Sequence, residues 1–237
     1  MRLSATTWSA ITSSAMAALA CAAAGCGGEG LARRFHVPQE KRVTLAAADA
    51  PDQTLHFPAD ATFNITDKTS TQAPGMTGTA LSSADAKPDG KATCHIDAAD
   101  GGTGSAEFHL GQCISNLSEN ARQAHVTVLC EYDVLAHHTD GADFPTIADY
   151  SLELYVNHTD GLIVKRLPME SSAGGDVPDS GSGRLVKEFS LHLEPRKVYN
   201  IVLAGRVNAV TGQGGSAGVK IDVKRFELSI HTESAPN

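Results

Sequence analysis

Ala124-His125-Val126-Thr127-Val128-Leu129-Cys130-Glu131-Tyr132-Asp133-Val134 decides how the rest of the chain reads. Its even positions are mostly apolar and its odd positions mostly polar, the period of an extended strand that buries one face and wets the other. Tyr150-Ser151-Leu152-Glu153-Leu154-Tyr155-Val156 alternates in the same way. It continues through Asn157-His158-Thr159-Asp160-Gly161 into Leu162-Ile163-Val164-Lys165-Arg166, and Asp-Gly between two apolar runs predicts a hairpin. Phe189, Leu191 and Leu193 mark a further strand, ended by Glu194-Pro195. Residues 198–210 carry β-branched side chains on both phases, as a covered central strand requires. In the last segment the apolar phase is odd at Val219, Ile221 and Val223 but even at Phe226, Leu228 and Ile230. One extra residue makes that change of phase, which predicts a β-bulge near Lys224-Arg225.

Working outward, residues 42–46, 54–57 and 62–66 read as shorter strands. Residues 67–90 and 169–183, rich in small and turn-forming residues, read as long loops. No stretch sustains a helical apolar stripe over about 11 residues. Helix is therefore expected for a turn or two at most, near Ser118 to Arg122. Many short strands with closely spaced turns predict an all-β fold, an antiparallel two-sheet β-sandwich of jelly-roll or immunoglobulin-like type, as a single domain over residues 41–233. With only 5% aromatic residues, its core must be built from Val, Leu, Ile and Ala.

The first residues follow a different grammar. Arg2 gives a positive start, a small-residue, mostly apolar run extends from Trp8 to Gly25, and Cys26-Gly27-Gly28 follows. Charge, apolar run and small residues in that order form a secretory signal, and the Ser and Thr within the run make it a poor membrane span. Ala23-Ala24-Gly25-Cys26 resembles the lipobox of bacterial lipoproteins, in which the cysteine becomes the lipidated first residue of the mature chain. It departs from the family at Ala23, where Leu is usual, and Cys21 offers a second candidate. Cleavage after Ala22-Ala23-Ala24 into a soluble protein is the alternative. The resemblance implies residues 1–25 as signal peptide, lipid on Cys26, and residues 26–40 as a flexible tether. Gly27 rather than Asp after the cysteine implies the outer membrane.

A formal net charge of −8 and no basic run longer than two residues argue against nucleic acid as a partner. Export makes a disulfide plausible among Cys94, Cys113 and Cys130. Phase favours Cys94–Cys130 through the core, with three buried thiols as the alternative.

Residue type and spacing bear on four chemistries. Gly214-Gly215-Ser216-Ala217-Gly218 matches the G-x-S-x-G nucleophile elbow, but it lies between two strands with only His231 after it, so it reads as a turn. His95, His109 and His125 lie on the polar phase of their strands. If those strands formed a meander, the three imidazoles would share a face and could hold zinc or copper, with Asp97 and Glu107 orienting the rings. That meander would also separate Cys94 from Cys130, so it and the disulfide exclude each other. Asp140 and Asp143 in an acidic loop could contribute oxygens to calcium, although turn chemistry alone accounts for Asp140-Gly141. Paired carboxylates for sugar hydrolysis cannot be assigned, and no catalytic set emerges.

The sequence thus leads to an exported envelope lipoprotein, membrane-associated through its lipid and leaning away from enzymatic activity. It would act as a binding or structural module for a protein, glycan or other envelope ligand. A periplasmic metal-binding protein using a histidine-rich sheet face is the second reading.

Overall fold

A computed structural model describes residue 35 and residues 37–45, 52–143, 145–172 and 180–234. Twelve strands run in chain order: β1 Val43–Thr44, β2 Gln53–Phe57, β3 Ile65–Ala73, β4 Thr79–Ala86, β5 Ala92–Ala99, β6 Thr103–Asn116, β7 Arg122–Thr139, β8 Ile147–His158, β9 Ile163–Ser171, β10 Gly181–Leu193, β11 Lys197–Val210 and β12 Ser216–Ser234. Sheet I follows the order β1-β6-β11-β8-β9, with β3 also on β6, and sheet II the order β10-β7-β12-β5-β4, with β2 also on β12. Every pairing is antiparallel except the short β1–β6 contact. The strands β5 to β12 make two four-stranded layers, β5-β12-β7-β10 and β6-β11-β8-β9. The chain changes layer at every connection among them except β8–β9, which is the winding of a jelly roll.

Alternation explains the layers. In β7 the even positions from Ala124 to Val134 are buried and the odd ones exposed or half-buried. The single core between the sheets takes Val126, Val128 and Cys130 from β7, Ile221, Phe226 and Leu228 from β12, Phe108 and Leu110 from β6, and Leu152 and Leu154 from β8. As expected, β11 is central, paired to β6 along one edge and β8 along the other. The β8–β9 hairpin turns at Gly161, whose φ of +95° suits a residue without a side chain. The predicted bulge is present: β12 shifts register against β7 between Val223 and Arg225.

A second, smaller apolar cluster lies on the outer side of sheet I, where Phe35 and Val37 pack over Ile65, Cys113, Tyr155 and Val202.

Three expectations are corrected. Residues 67–90 are not one long loop, because β3 and β4 occupy much of the stretch and extend the edges of sheets I and II. Their Ser- and Thr-rich sequence is mostly exposed, so it lacks the apolar alternation that reveals a half-buried strand. Of residues 169–183, β9 takes the start and β10 the end, while 173–179 lie outside the described residues. Ser118 to Asn120 forms bends rather than a helical turn and β7 begins at Arg122, while the helix-like element among the described residues is a 3₁₀ turn at Gln39–Lys41.

Candidate functional site

The register decides where the polar side chains gather. With Val219, Ile221, Val223, Phe226, Leu228 and Ile230 of β12 facing the core, the intervening residues point out of sheet II. His95 and Asp97 of β5, His125 and His137 of β7, His192 of β10, His56 of β2 and His231 of β12 join them on that outer face. No side chain there is buried; the one buried residue is Gly218. The outer face of sheet I contrasts with it, since His109, Cys113, Tyr155, Asn157, Asn200 and Val202 are all buried.

Two histidine groups stand at opposite ends of the face. At one end, Gly218 pairs with Asp97 on one side and His137 on the other. His95 Nε2 lies 2.8 Å from Asp97 Oδ2, and His137 Nε2 lies 3.9 Å from Asp97 Oδ1. At the other end, the rings of His125 and His231 stack with centroids 6.5 Å apart. His125 is held by Ser190 Oγ at Nδ1 and Glu233 Oε1 at Nε2, each 3.1 Å away, and Thr54 Oγ1 lies 2.9 Å from His231 Nδ1.

Charged pairs fill the middle. Lys224 Nζ sits 2.5 Å from Asp222 and 3.5 Å from Asp133, and Lys220 lies 3.6 Å from Asp222. Partial burial works against ionising Asp222, but the hydrogen bond from Lys224 and the charges of both lysines outweigh it and hold the carboxyl below its ordinary range. Lys68, 2.7 Å from Asp85, lowers that carboxyl in the same way, chiefly by its hydrogen bond. Beside this strip, β5 gives way to β2 along the edge of β12, and the surface dips into a pocket of about 280 Å³. Leu129, Pro58 and Ala59 supply apolar lining, while His56, Thr127, Glu227 and Ser229 supply polar groups.

The expected metal triad is not assembled. The presumed meander fails because β5 and β6 belong to different sheets, so His109 lies on the opposite layer from His95 and His125. There His109 is buried between Phe35 and Tyr155, centroids 5.3 and 6.4 Å away, with Nε2 3.2 Å from Glu107. His95 and His125 do share the outer face of sheet II. However, they pair with Lys220 and His231 on opposite edges of β12, which are on the order of 35 Å apart along the strand. Among the described residues, no group of three His, Cys, Asp or Glu side chains is placed to hold a metal ion as it stands. The histidine-rich face exists with other members, His56, His137, His192 and His231, which pairing between distant strands brings in.

The Cys94–Cys130 disulfide is not formed; both thiols are free, as is Cys113. β12 runs between them, with Cys94 opposite Ile221 and Cys130 opposite Phe226. Two strand spacings of about 4.8 Å already exceed the reach of a disulfide. The same burial raises all three thiols, Cys113 to about 11, Cys130 to about 12 and Cys94 further.

In the acidic loop, Asp140 Oδ1 accepts from Thr146 N at 3.2 Å and Asp143 Oδ1 from Gln213 N at 2.6 Å. Asp140 thus braces its own β7–β8 connection, and Asp143 ties that connection to the β11–β12 turn. Ser216 opens β12 with its hydroxyl 2.9 Å from Thr139 Oγ1, whereas His231 lies on the order of 50 Å further along the same strand. The G-x-S-x-G match is a turn, as read. Residues 1–34, Cys26 among them, lie outside the described residues.

No protein-family model matches the sequence, and no curated protein does. Among solved structures, a carbohydrate-binding module of the β-sandwich superfamily is 11% identical, the match covering 68% of this chain and 55% of that one at a TM-score of 0.21. The enzymatically active domain of tailspike protein 4 of bacteriophage CBA120 is 14% identical, covering 66% and 19% at 0.21. The VP2 subviral particle of infectious bursal disease virus is 11% identical, covering 80% and 38% at 0.23. The chain thus spans about a fifth of the tailspike domain and about half of the module. Overlaps this distant assign neither ligand nor activity.

Proposed function

We propose that the chain is an exported lipoprotein of the bacterial cell envelope, held at the outer membrane by lipid on Cys26. Its jelly roll serves as a non-catalytic binding module. The observation that carries the binding role is the outer face of sheet II, which spans five strands, buries none of its side chains and dips into a pocket beside β2. The pocket there combines an apolar lining with hydroxyl, imidazole and carboxylate groups. A sugar ring, apolar on its faces and rimmed by hydroxyls, is the ligand class with that same combination, so an envelope glycan is the proposed partner. Support for the anchor is the lipobox-like Ala23-Ala24-Gly25-Cys26.

Two measurements test the two halves separately. Intact-mass analysis of the membrane fraction is expected to show a diacylglyceryl group on Cys26, and Cys26→Ser to release the protein into the soluble fraction; an unmodified soluble native protein would defeat the anchor. Binding to purified envelope glycans is expected to weaken at least tenfold in Ser229→Trp, which fills the pocket, and to persist in Thr69→Trp on sheet I. Equal binding by both variants and the native chain would remove the pocket as the site.

A further inference from the structure

We propose that His95, Asp97 and His137 form a binding site for one first-row divalent transition-metal ion, zinc in particular, on the outer face of sheet II. This site is independent of the glycan pocket and of the anchor. It uses His95 of the triad expected from sequence, Asp97, read there as orienting the rings, and His137, which the register supplies.

The geometry turns on Gly218. Asp97 and His137 belong to β5 and β7, which do not pair with each other, because β12 runs between them. At about 4.8 Å per strand spacing, side chains on such strands normally stand apart over the one in the middle. Here the middle residue has no side chain. A Cβ at Gly218 would meet Asp97 Oδ1 at 2.3 Å and His137 Cε1 at 2.1 Å, so both groups lean over the central strand into the space that the glycine leaves. Any other residue at 218 would force them apart.

Asp97 links the two imidazoles, one at each carboxylate oxygen. His95, two residues before Asp97 on the same face of β5, brings its Nε2 to one carboxylate oxygen at 2.8 Å, and His137 brings its Nε2 towards the other at 3.9 Å. Two imidazoles and a carboxylate are a ligand set for zinc or ferrous iron that keeps positions open for water. Ligands bound at 2.0–2.2 Å in tetrahedral array stand about 3.4 Å from one another. The two N···O separations, one to each carboxylate oxygen, straddle that value, so the exposed side chains must shift to close around one ion. The side chains are 35%, 45% and 69% exposed for His95, Asp97 and His137, which leaves them room to close and leaves the site open to solvent. Lys220, opposite His95, lies 3.6 Å from Asp222, whose carboxylate offsets its charge.

The test uses the full chain without an affinity tag, stripped with chelator and titrated with zinc by calorimetry and with cobalt(II) by visible absorption. One equivalent is expected to bind, with cobalt giving ligand-field bands of low coordination number. His137→Ala and Asp97→Asn are each expected to weaken binding at least tenfold, while His125→Ala and His231→Ala at the far end leave it unchanged. Gly218→Ala should weaken it as well, because the methyl group occupies the space in which the donors meet. If that variant fails to fold, as judged by circular dichroism, the two single-donor variants decide the matter. Absence of binding, or binding that survives His137→Ala and Asp97→Asn, overturns the site.

Discussion

Phe226 stacks on Phe63 with ring centroids 5.0 Å apart and planes 27° apart, and it does so only because β12 carries one residue too many just before it. Without the bulge, the odd phase of Val219, Ile221 and Val223 would carry Phe226 to the solvent side. Phe57 adjoins the pair, its centroid 6.2 Å from Phe63. Gly90 closes the group from the β4–β5 connection, where Phe226 N donates to Gly90 O at 2.9 Å.

Truncating Phe226 removes a fully buried ring from the middle of this cluster. Phe226→Ala is expected to lower the unfolding free energy by about 3–5 kcal/mol, measured by denaturant titration. A loss below about 1 kcal/mol would mean that the cluster repacks around the gap.

Gly90 has a φ of +91°, and a Cβ there would lie 2.6 Å from Phe226 O. Gly90→Ala therefore combines left-handed strain with a backbone collision and is expected to cost about 1–3 kcal/mol. An unchanged melting temperature would show that the connection can move away without loss.

The bulge makes an unusual deletion tolerable. Lys224 is the residue skipped between the pairs Val223–Tyr132 and Arg225–Glu131. Deleting it brings Phe226, Leu228 and Ile230 into one continuous phase with Val223, so the protein should still unfold cooperatively. Deleting Thr127 from the unbulged middle of β7 reverses the faces of every residue on one side of the cut and should abolish folding. Circular dichroism melts of the two variants decide it: equal behaviour would refute the register argument.

The three buried thiols predict an alkaline limit to stability. Burial holds Cys113 and Cys130 near 11 and 12 in the fold, against an ordinary value of 9.0. Above about pH 9 the unfolded chain releases thiol protons that the folded chain keeps, so stability is complete below that pH. It falls as pH rises towards 11 and 12, by about 1.4 kcal/mol per pH unit for each thiol involved. At pH 8 Cys94, Cys113 and Cys130 should react with iodoacetamide only on unfolding, and reductant should leave the melting temperature unchanged. A melting temperature lowered by reductant would reinstate a disulfide.

Asn200 is buried on the outer side of sheet I, and neither amide atom has a hydrogen-bond partner among the described residues. Asn200→Leu should raise the unfolding free energy by about 1 kcal/mol, because an unpaired buried amide costs more than an apolar group of similar size. Destabilisation instead would place an ordered water on the amide.

The strands that bury one face were legible in the sequence. In Ala124 to Val134, β7 declares which side chains it hides, and the phase change before Phe226 declares the bulge. β3 and β4 were not legible, because exposed edge strands such as Ile65 to Ala73 bury too little to leave a periodic trace. The candidate site was half legible. Periodicity places His95 and His125 on solvent-facing phases, but it cannot tell which layer a solvent-facing residue belongs to, and His109 proved to be on the other one.

What the sequence by itself determined is the set of extended segments, their buried phases and the fault in β12, since these depend on contacts between neighbours along the chain. Which strands lie side by side was decided only by the tertiary structure. Laying β12 between β5 and β7 parts Cys94 from Cys130, and it carries Asp97 and His137 to the two sides of Gly218. The reason is physical: alternation satisfies the core equally well in many strand orders, and one order is selected only when all the strands pack at once.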